Sequence, residues 1–323
     1  MKLRGYGLQV FVEDWSARYG SPYLVSPDDG SSGMAAQLVE DGAELRLHTP
    51  TCSPADHLAF VDGVRRMEAV MYLADGDAFA HGIAGSHACG AVIADGSARM
   101  AIDHVRVARL AIFGAGVRSS LPPVDGFAWR SSSVADTEPD APLNELQTRM
   151  RQQEGVLAEE LAADGRLVIV DGPLHFVRSR DLPVVGHIKT HRRMLLTPVA
   201  HQQVPNLQAG DRTSLFTLGA DRYSCYLRLA EPAANAGPWS GVVRIEVPQS
   251  AGLAEAINTA NAVAATLPRY AGIPWLDPRA PQNLQPVGAL ERHLQHSLGD
   301  SRLATRAVRA AVAELRRRTE DAA

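Results

Sequence analysis

Cysteine is scarce in this chain. Cys52, Cys89 and Cys225 are the only three, odd in number and far apart. That spacing excludes a disulfide framework and the paired ligands of a zinc finger, and a reducing cytoplasm is the expected setting. No apolar run approaches the roughly 18 residues that span a bilayer. The opening MKLRGYGLQVFVEDW has neither the long apolar core nor the small-residue cleavage site of a signal peptide. A Walker motif, a Gly-rich dinucleotide fingerprint and a Gly-x-Ser-x-Gly elbow are all missing, which argues against nucleotide hydrolases and esterases. Positive charge is not in excess either: 32 Lys and Arg face 36 Asp and Glu, for a net charge of −4. The chain as a whole is not basic in the manner of many nucleic-acid binders, although a local groove can be basic on an acidic protein.

What is present is a globular composition, 46% hydrophobic and 21% charged over 323 residues, with ample length to bury a core. Residues 1–50 are hard to assign beyond a short strand at Leu8–Val12. From Leu58 to Phe113 the runs LAFVDG, EAVMYLA, AFAHGIAGSHACGAVIA and HVRVARLAIFG predict three or four strands in a meander. Gly114–Pro142, with four prolines and four acidic residues, reads as a long connection or insertion. Leu143–Ala163 predicts a helix capped by Asn144, with Leu146, Met150, Leu157 and Leu161 as its apolar stripe. Strand-like runs follow at Leu167–Val170, Ser214–Leu218, Cys225–Leu229 and Gly241–Val247. A helix is expected over Leu253–Leu267, an irregular segment over Tyr270–Pro286 and a helical tail beyond Ala289. The expected organisation is an unclear segment 1–50, a main domain 51–290 and a tail 291–323.

Two apolar runs end in the same dipeptide: LAFV before Asp62-Gly63 and LVIV before Asp171-Gly172. A carboxylate directly after an apolar strand is expected at a sheet end, where a turn presents it to a ligand. Asp-Gly is also an ordinary turn dipeptide, and Asp41, Asp75, Asp95 and Asp125 read that way. Glu154 interrupts the apolar stripe of its helix, four residues after Met150 and three before Leu157. It is expected to face the sheet, unlike Glu159 and Glu160. The order strand–Asp62, antiparallel meander, helix–Glu154, strand–Asp171 is that of an α/β protein with an RNase H-like mixed sheet flanked by helices. Carboxylates distant in sequence and close in space are a common way to hold hard divalent ions, which can activate water and orient a phosphodiester.

The blocks AFVDGVRR around Asp62, MRQQE ending at Glu154, LVIVDGPL around Asp171 and VVGHIKT around Lys189 resemble those of the NurA nuclease family. Members are metal-dependent DNA-end nucleases that work with a hexameric HerA-type ATPase. The blocks fall between about Leu58 and Pro286, and their order is more specific than any one of them. The resemblance implies a homodimer that cuts DNA with Mn²⁺ or Mg²⁺, as a 5′–3′ exonuclease or single-strand endonuclease, in end resection with a HerA-like partner. It implies that Asp62, Glu154 and Asp171 are the metal ligands, with Lys189 on the scissile phosphate. One departure stands out: the family's Pro-rich C-terminal segment leads to a histidine, and GIPWLDPRAPQN has none. Asp277, Arg279 or Asn283 are candidates for that place.

Arg65, Arg66, Arg178, Arg180, Arg192 and Arg193 lie near these residues in sequence, and a DNA-backbone groove fits them, because arginine grips phosphate bidentately. Surface arginines without a ligand are the plain alternative, as a solvated strand-end lysine is for Lys189. Among histidines, His187 and His191 flank Lys189 and are better candidates than His81 and His87 or the exposed-looking pair His293 and His296. Two other functions stay open: a catalytically degenerate DNA clamp or regulator of a HerA-like ATPase, and an ATPase-independent nuclease on RNA or branched DNA.

Overall fold

The computed structural model describes residues 9–12, 36–42, 44–75, 78–96, 99–179, 181–191 and 193–321. Its strands are β1 (Gln9–Val12), β2 (Leu47–His48), β3 (His57–Asp75), β4 (Ala78–Asp95), β5 (Arg99–Phe113), β6 (Arg130–Ser133), β7 (Leu167–Asp171), β8 (Val184–Ile188), β9 (Arg212–Thr213), β10 (Phe216–Leu218), β11 (Arg222–Arg228) and β12 (Val242–Pro248). The helices are α1 (Ala141–Ala163), α2 (Pro198–His201), α3 (Leu253–Thr266), α4 (Gln285–Ser297) and α5 (Ser301–Asp321).

All strands join one mixed sheet in the order β2-β9-β11-β12-β8-β7-β3-β4-β5-β6, with β1 also on β3 and β10 on β11. Within it, β5-β4-β3-β7-β8 is the RNase H-like core: β3, β4 and β5 are antiparallel neighbours, while β7 runs parallel to both β3 and β8. Parallel strands covered on both faces read as continuous apolar runs. Leu58, Ala59, Phe60 and Val61 are accordingly all buried. Their alternating side chains feed two layers. Leu58 and Phe60 pack with α3 and α4, and Ala59 and Val61 pack with α1. The farther half of the hairpin is covered by α5, through Ala307, Val308, Ala311 and Val312.

Several expectations need correcting. The meander has three strands, within the expected three or four, but LAFVDG and EAVMYLA are one continuous strand, the 19-residue β3. Asp62-Gly63 is therefore neither a turn nor a strand end; Asp62 pairs with Gly90 in mid-strand. The connection 114–142 contains β6, and α1 begins at Ala141, with Asp140 rather than Asn144 at its N-cap. Gly155 is tolerated within α1 because any Cβ there would overlap the Phe176 carbonyl, so the close approach outweighs the usual helical cost of glycine. The 290/291 division falls inside α4, whose Leu290 and Leu294 belong to the main core. Residues before 50 contribute β1 and β2 to separate parts of the sheet. No described helix is long and apolar enough to cross a membrane.

Candidate active site

Parallel pairing of β3 with β7 runs in step from Leu58–Leu167 to Val61–Val170. Asp62 and Asp171 are the next residues of each strand, and alternation puts both on the α4 side. β7 ends there, whereas β3 runs on, so the parallel core stops where the two carboxylates meet. Both are buried, at 4% and 9% exposure. A third carboxylate arrives from α4. Oxygens of Asp62, Asp171 and Glu291 all lie within 4.8 Å of one another.

Glu154 approaches from the opposite face and is 1% exposed. Gly63 makes this possible. A Cβ at that position would overlap Glu154 Oε1 and lie 2.9 Å from Met150 Cγ. Arg151 Nη1 donates to Glu154 Oε2 at 2.8 Å and to the Asp171 carbonyl at 2.7 Å, tying helix to strand. Glu159, by contrast, accepts from the backbone N–H groups of Arg178 and Ser179 and has a local structural part.

Lys189, one residue past β8, donates to Asp171 Oδ2 at 2.7 Å and to Asn283 Oδ1 at 2.9 Å. Asn283 Nδ2 continues to Asp277 Oδ2 at 2.6 Å. Arg279 then bridges Asp277 and Glu291, at 3.1 Å to Asp277 Oδ2 and 2.9 Å from Nη1 to Glu291 Oε1. The Pro-rich segment thus closes the site, but Asp277, Arg279 and Asn283 act as its girdle. The carboxylate that joins the strand pair is Glu291. It was missed although its signal matches that of Glu154: it takes the fourth place of the apolar stripe Val287, Leu290, Leu294.

The electrostatics are those of crowded anions. Burial, then the charges of Asp171, Glu154 and Glu291, push the Asp62 carboxyl well above the usual carboxylate range, against the pull of Lys189. Burial also raises Glu154, with Arg151 opposing. Burial would raise Asp171 too, but the Lys189 charge and then His187 reverse this and hold it below its ordinary value. Glu154 Oε1 and Asp171 Oδ1 are buried without a hydrogen-bond partner. Oxygen-only donors, excess negative charge and two orphaned oxygens suit a hard divalent cation. The other acidic cluster, Glu40, Asp41 and His48, is internally satisfied: Arg212 clasps Glu40, and Ser214 and His48 hold Asp41.

The remaining candidates divide. His187 is fully buried on β8 with Nδ1 3.7 Å from Asp171 Oδ1. His191 lies elsewhere, bonded to the Val242 carbonyl and ringed by Tyr226 and Trp239. His293 and His296 are exposed on α4. Arg65 Nε is bonded to Gln147 Oε1 on α1. Arg66 reaches the other way and donates to the carbonyls of Leu298 and Gly299 at 3.0 and 2.7 Å, so it is engaged at the end of α4. Arg193 is exposed. Arg180 and Arg192 lie outside the described residues.

No protein-family model matches the chain, and no curated protein matches its sequence. Among solved structures, the crystal structure of the NurA nuclease from Sulfolobus solfataricus is similar, at 10% identity over 84% of this chain and 88% of that chain, with a TM-score of 0.47.

Proposed function

We propose that this protein is a divalent-metal-dependent nuclease whose ion or ions, Mn²⁺ or Mg²⁺, are held by Asp62, Glu154, Asp171 and Glu291. The observation that carries this reading is the convergence of Asp62, Asp171 and Glu291 oxygens within 4.8 Å where the parallel strands end. Buried like charges this close are unfavourable unless a cation joins them. When bound, such an ion supplies Lewis acidity toward a phosphoryl oxygen and a nucleophile at neutral pH. The chain's own residues supply positioning. Arg151 fixes Glu154 Oε2 and leaves Oε1 turned toward the gap over Gly63. Arg279 fixes Glu291. Lys189, already against Asp171, is the point charge that steadies a non-bridging phosphate oxygen.

The substrate in this reading is DNA, cut from an end or within a single strand. The ordered blocks around Asp62, Glu154, Asp171 and Lys189 extend the proposal to a cytoplasmic homodimer that resects DNA ends with a HerA-like hexameric ATPase, by analogy of family. The clamp alternative drew its support from the absent histidine. Glu291 supplies a fourth acidic group, which favours catalysis.

The test is cleavage of end-labelled single- and double-stranded DNA with Mn²⁺, Mg²⁺ or EDTA, beside Asp62→Asn and Asp171→Asn. Metal-dependent cutting by the wild type and loss in both variants is expected. Inertness of all three, with a HerA-like ATPase and ATP present, would transfer the assignment to the clamp.

A further inference from the structure

Beside the carboxylates, a cavity of about 380 Å³ opens between the start of β5 and the segment leading into α4. Its walls include Val92, Ile102, Ile273 and Leu284, and its polar side is formed by Asp277 and Asn283 with Arg292. That volume falls within the range of small-ligand pockets, as does the combination of apolar walls with a few grouped polar side chains. The polar side is continuous with the proposed active site. Asn283 Oδ1 is 2.9 Å from Lys189 Nζ, which is itself 2.7 Å from Asp171 Oδ2. Arg292 follows Glu291 on α4 and is exposed. The rim is unusually apolar for a surface facing water: Met100 is 57% and Leu276 65% exposed, and the neighbouring Trp275 is 83% exposed.

We propose that this cavity receives one unpaired nucleobase of the strand whose phosphate lies at the carboxylate cluster, making the protein selective for single-stranded DNA. The proposal rests on the nuclease reading above and adds a base subsite to it. A nucleobase offers two apolar faces and a hydrogen-bonding edge, which correspond to the apolar walls and to the Asn283–Asp277–Arg292 side. A paired base cannot enter without being unstacked and extruded, so the cavity discriminates against duplex. Arg292 adds charge complementarity for the adjoining phosphate, and Trp275 offers a flat face for a neighbouring base.

The test uses a short oligothymidylate carrying one 2-aminopurine, the same oligonucleotide with that base removed, and a blunt duplex. Binding is measured in Ca²⁺ with wild type, Ile102→Trp and Ile102→Ser. Ile102 lines the cavity from the same sheet face as Val92 and is 36% exposed, so a tryptophan there fills the space from its rim. Expected are a 2-aminopurine emission change with the wild type that Ile102→Trp abolishes, and a single-strand affinity lowered about tenfold, the size of one lost base stack. Duplex affinity should be unchanged, and loss of the base should weaken wild-type binding to the same degree. Ile102→Ser should weaken single-strand binding in the same direction, and its melting curve separates loss of the pocket from misfolding. Equal effects on single strand and duplex, or no effect of removing the base, would overturn the proposal. So would conversion of a dimer to a monomer by Ile102→Trp, which would mean that a second copy covers the cavity. Binding is read independently of cutting, and wild-type cleavage in Mn²⁺ is scored separately. Failure of the nuclease reading and failure of the base subsite are therefore distinguishable.

Discussion

Gly63 on β3 and Glu154 on α1 meet so closely that no side chain larger than hydrogen fits at position 63. A buried helix carboxylate can reach a strand carboxylate on the opposite face of a sheet only where the strand between them is thin. Gly63→Ala is therefore expected to displace Glu154 while leaving the strand intact. Mn²⁺ affinity should fall about 10- to 100-fold, the cost of disturbing the support of a metal site. Calorimetric titration checks the affinity, and far-UV circular dichroism checks that the fold persists. Undiminished affinity would remove Glu154 from the site.

Asp62 is held in a state its surroundings disfavour, with its carboxyl pushed up by burial and then by Asp171, Glu154 and Glu291. A neutral isostere relieves that repulsion. Asp62→Asn should melt a few degrees above the wild type in EDTA and should lose the stabilisation that the wild type gains from Mn²⁺, so the order reverses in saturating metal. Melting curves in both conditions decide it. A variant less stable than wild type in EDTA would mean that Asp62 is a structural anchor.

Much of this was legible in the residues. Asp62, Glu154 and Asp171 stood out as candidates because two buried apolar runs end in aspartate and one apolar stripe is broken by glutamate. LAFV and LVIV were visible as apolar strands, but their parallel pairing shows only in the structure. The length of β3 was not visible, because Asp-Gly is a turn in most settings and only the pairing with β4 shows the strand continuing. Glu291 interrupts an apolar stripe as Glu154 does, but its nearness to Asp62 depends on how α4 packs over the sheet and shows only in the structure. Arg66 looked like a phosphate contact from its place after Asp62 on the same face of β3, but it is engaged by the carbonyls ending α4.

That placement separates Arg66 from Arg193 as candidate phosphate contacts. Arg66→Ala should lower thermal stability, because the Gly299 carbonyl loses its donor and the Leu298 carbonyl and buried Glu68 each lose one of theirs. Arg193→Ala, at an exposed position, should weaken DNA binding and reduce the slope of log K against log salt by about 1. Melting curves and binding at several salt concentrations distinguish them, and a salt slope altered by Arg66 with no loss of stability would reverse the assignment.

Acid sensitivity is expected away from the site, at Glu246. Burial opposes its ionisation, but Arg244, Arg222 and the Leu174 N–H outweigh that and hold its carboxyl below the usual range. The folded state therefore binds this proton less readily than the unfolded chain. Its stabilisation is complete above the unfolded glutamate value of about 4.3 and is lost as pH falls through the lower folded value. Glu246→Gln should cost roughly 3–5 kcal/mol at neutral pH by leaving buried guanidiniums uncompensated. It should also flatten the acid limb of the stability profile, measured by denaturant melts from pH 3 to 7, taken as roughly the window of carboxylate titration.

The most direct measurement is a Mn²⁺ titration followed by electron paramagnetic resonance of the free ion, with wild type, Asp62→Asn and Glu291→Gln. Wild type should remove the free-ion signal stoichiometrically, and both variants should bind at least about tenfold more weakly, since both carboxylates face the same ion. A wild type that leaves the signal untouched, or a Glu291→Gln variant that titrates like wild type, would contradict a metal centre built from β3, β7 and α4.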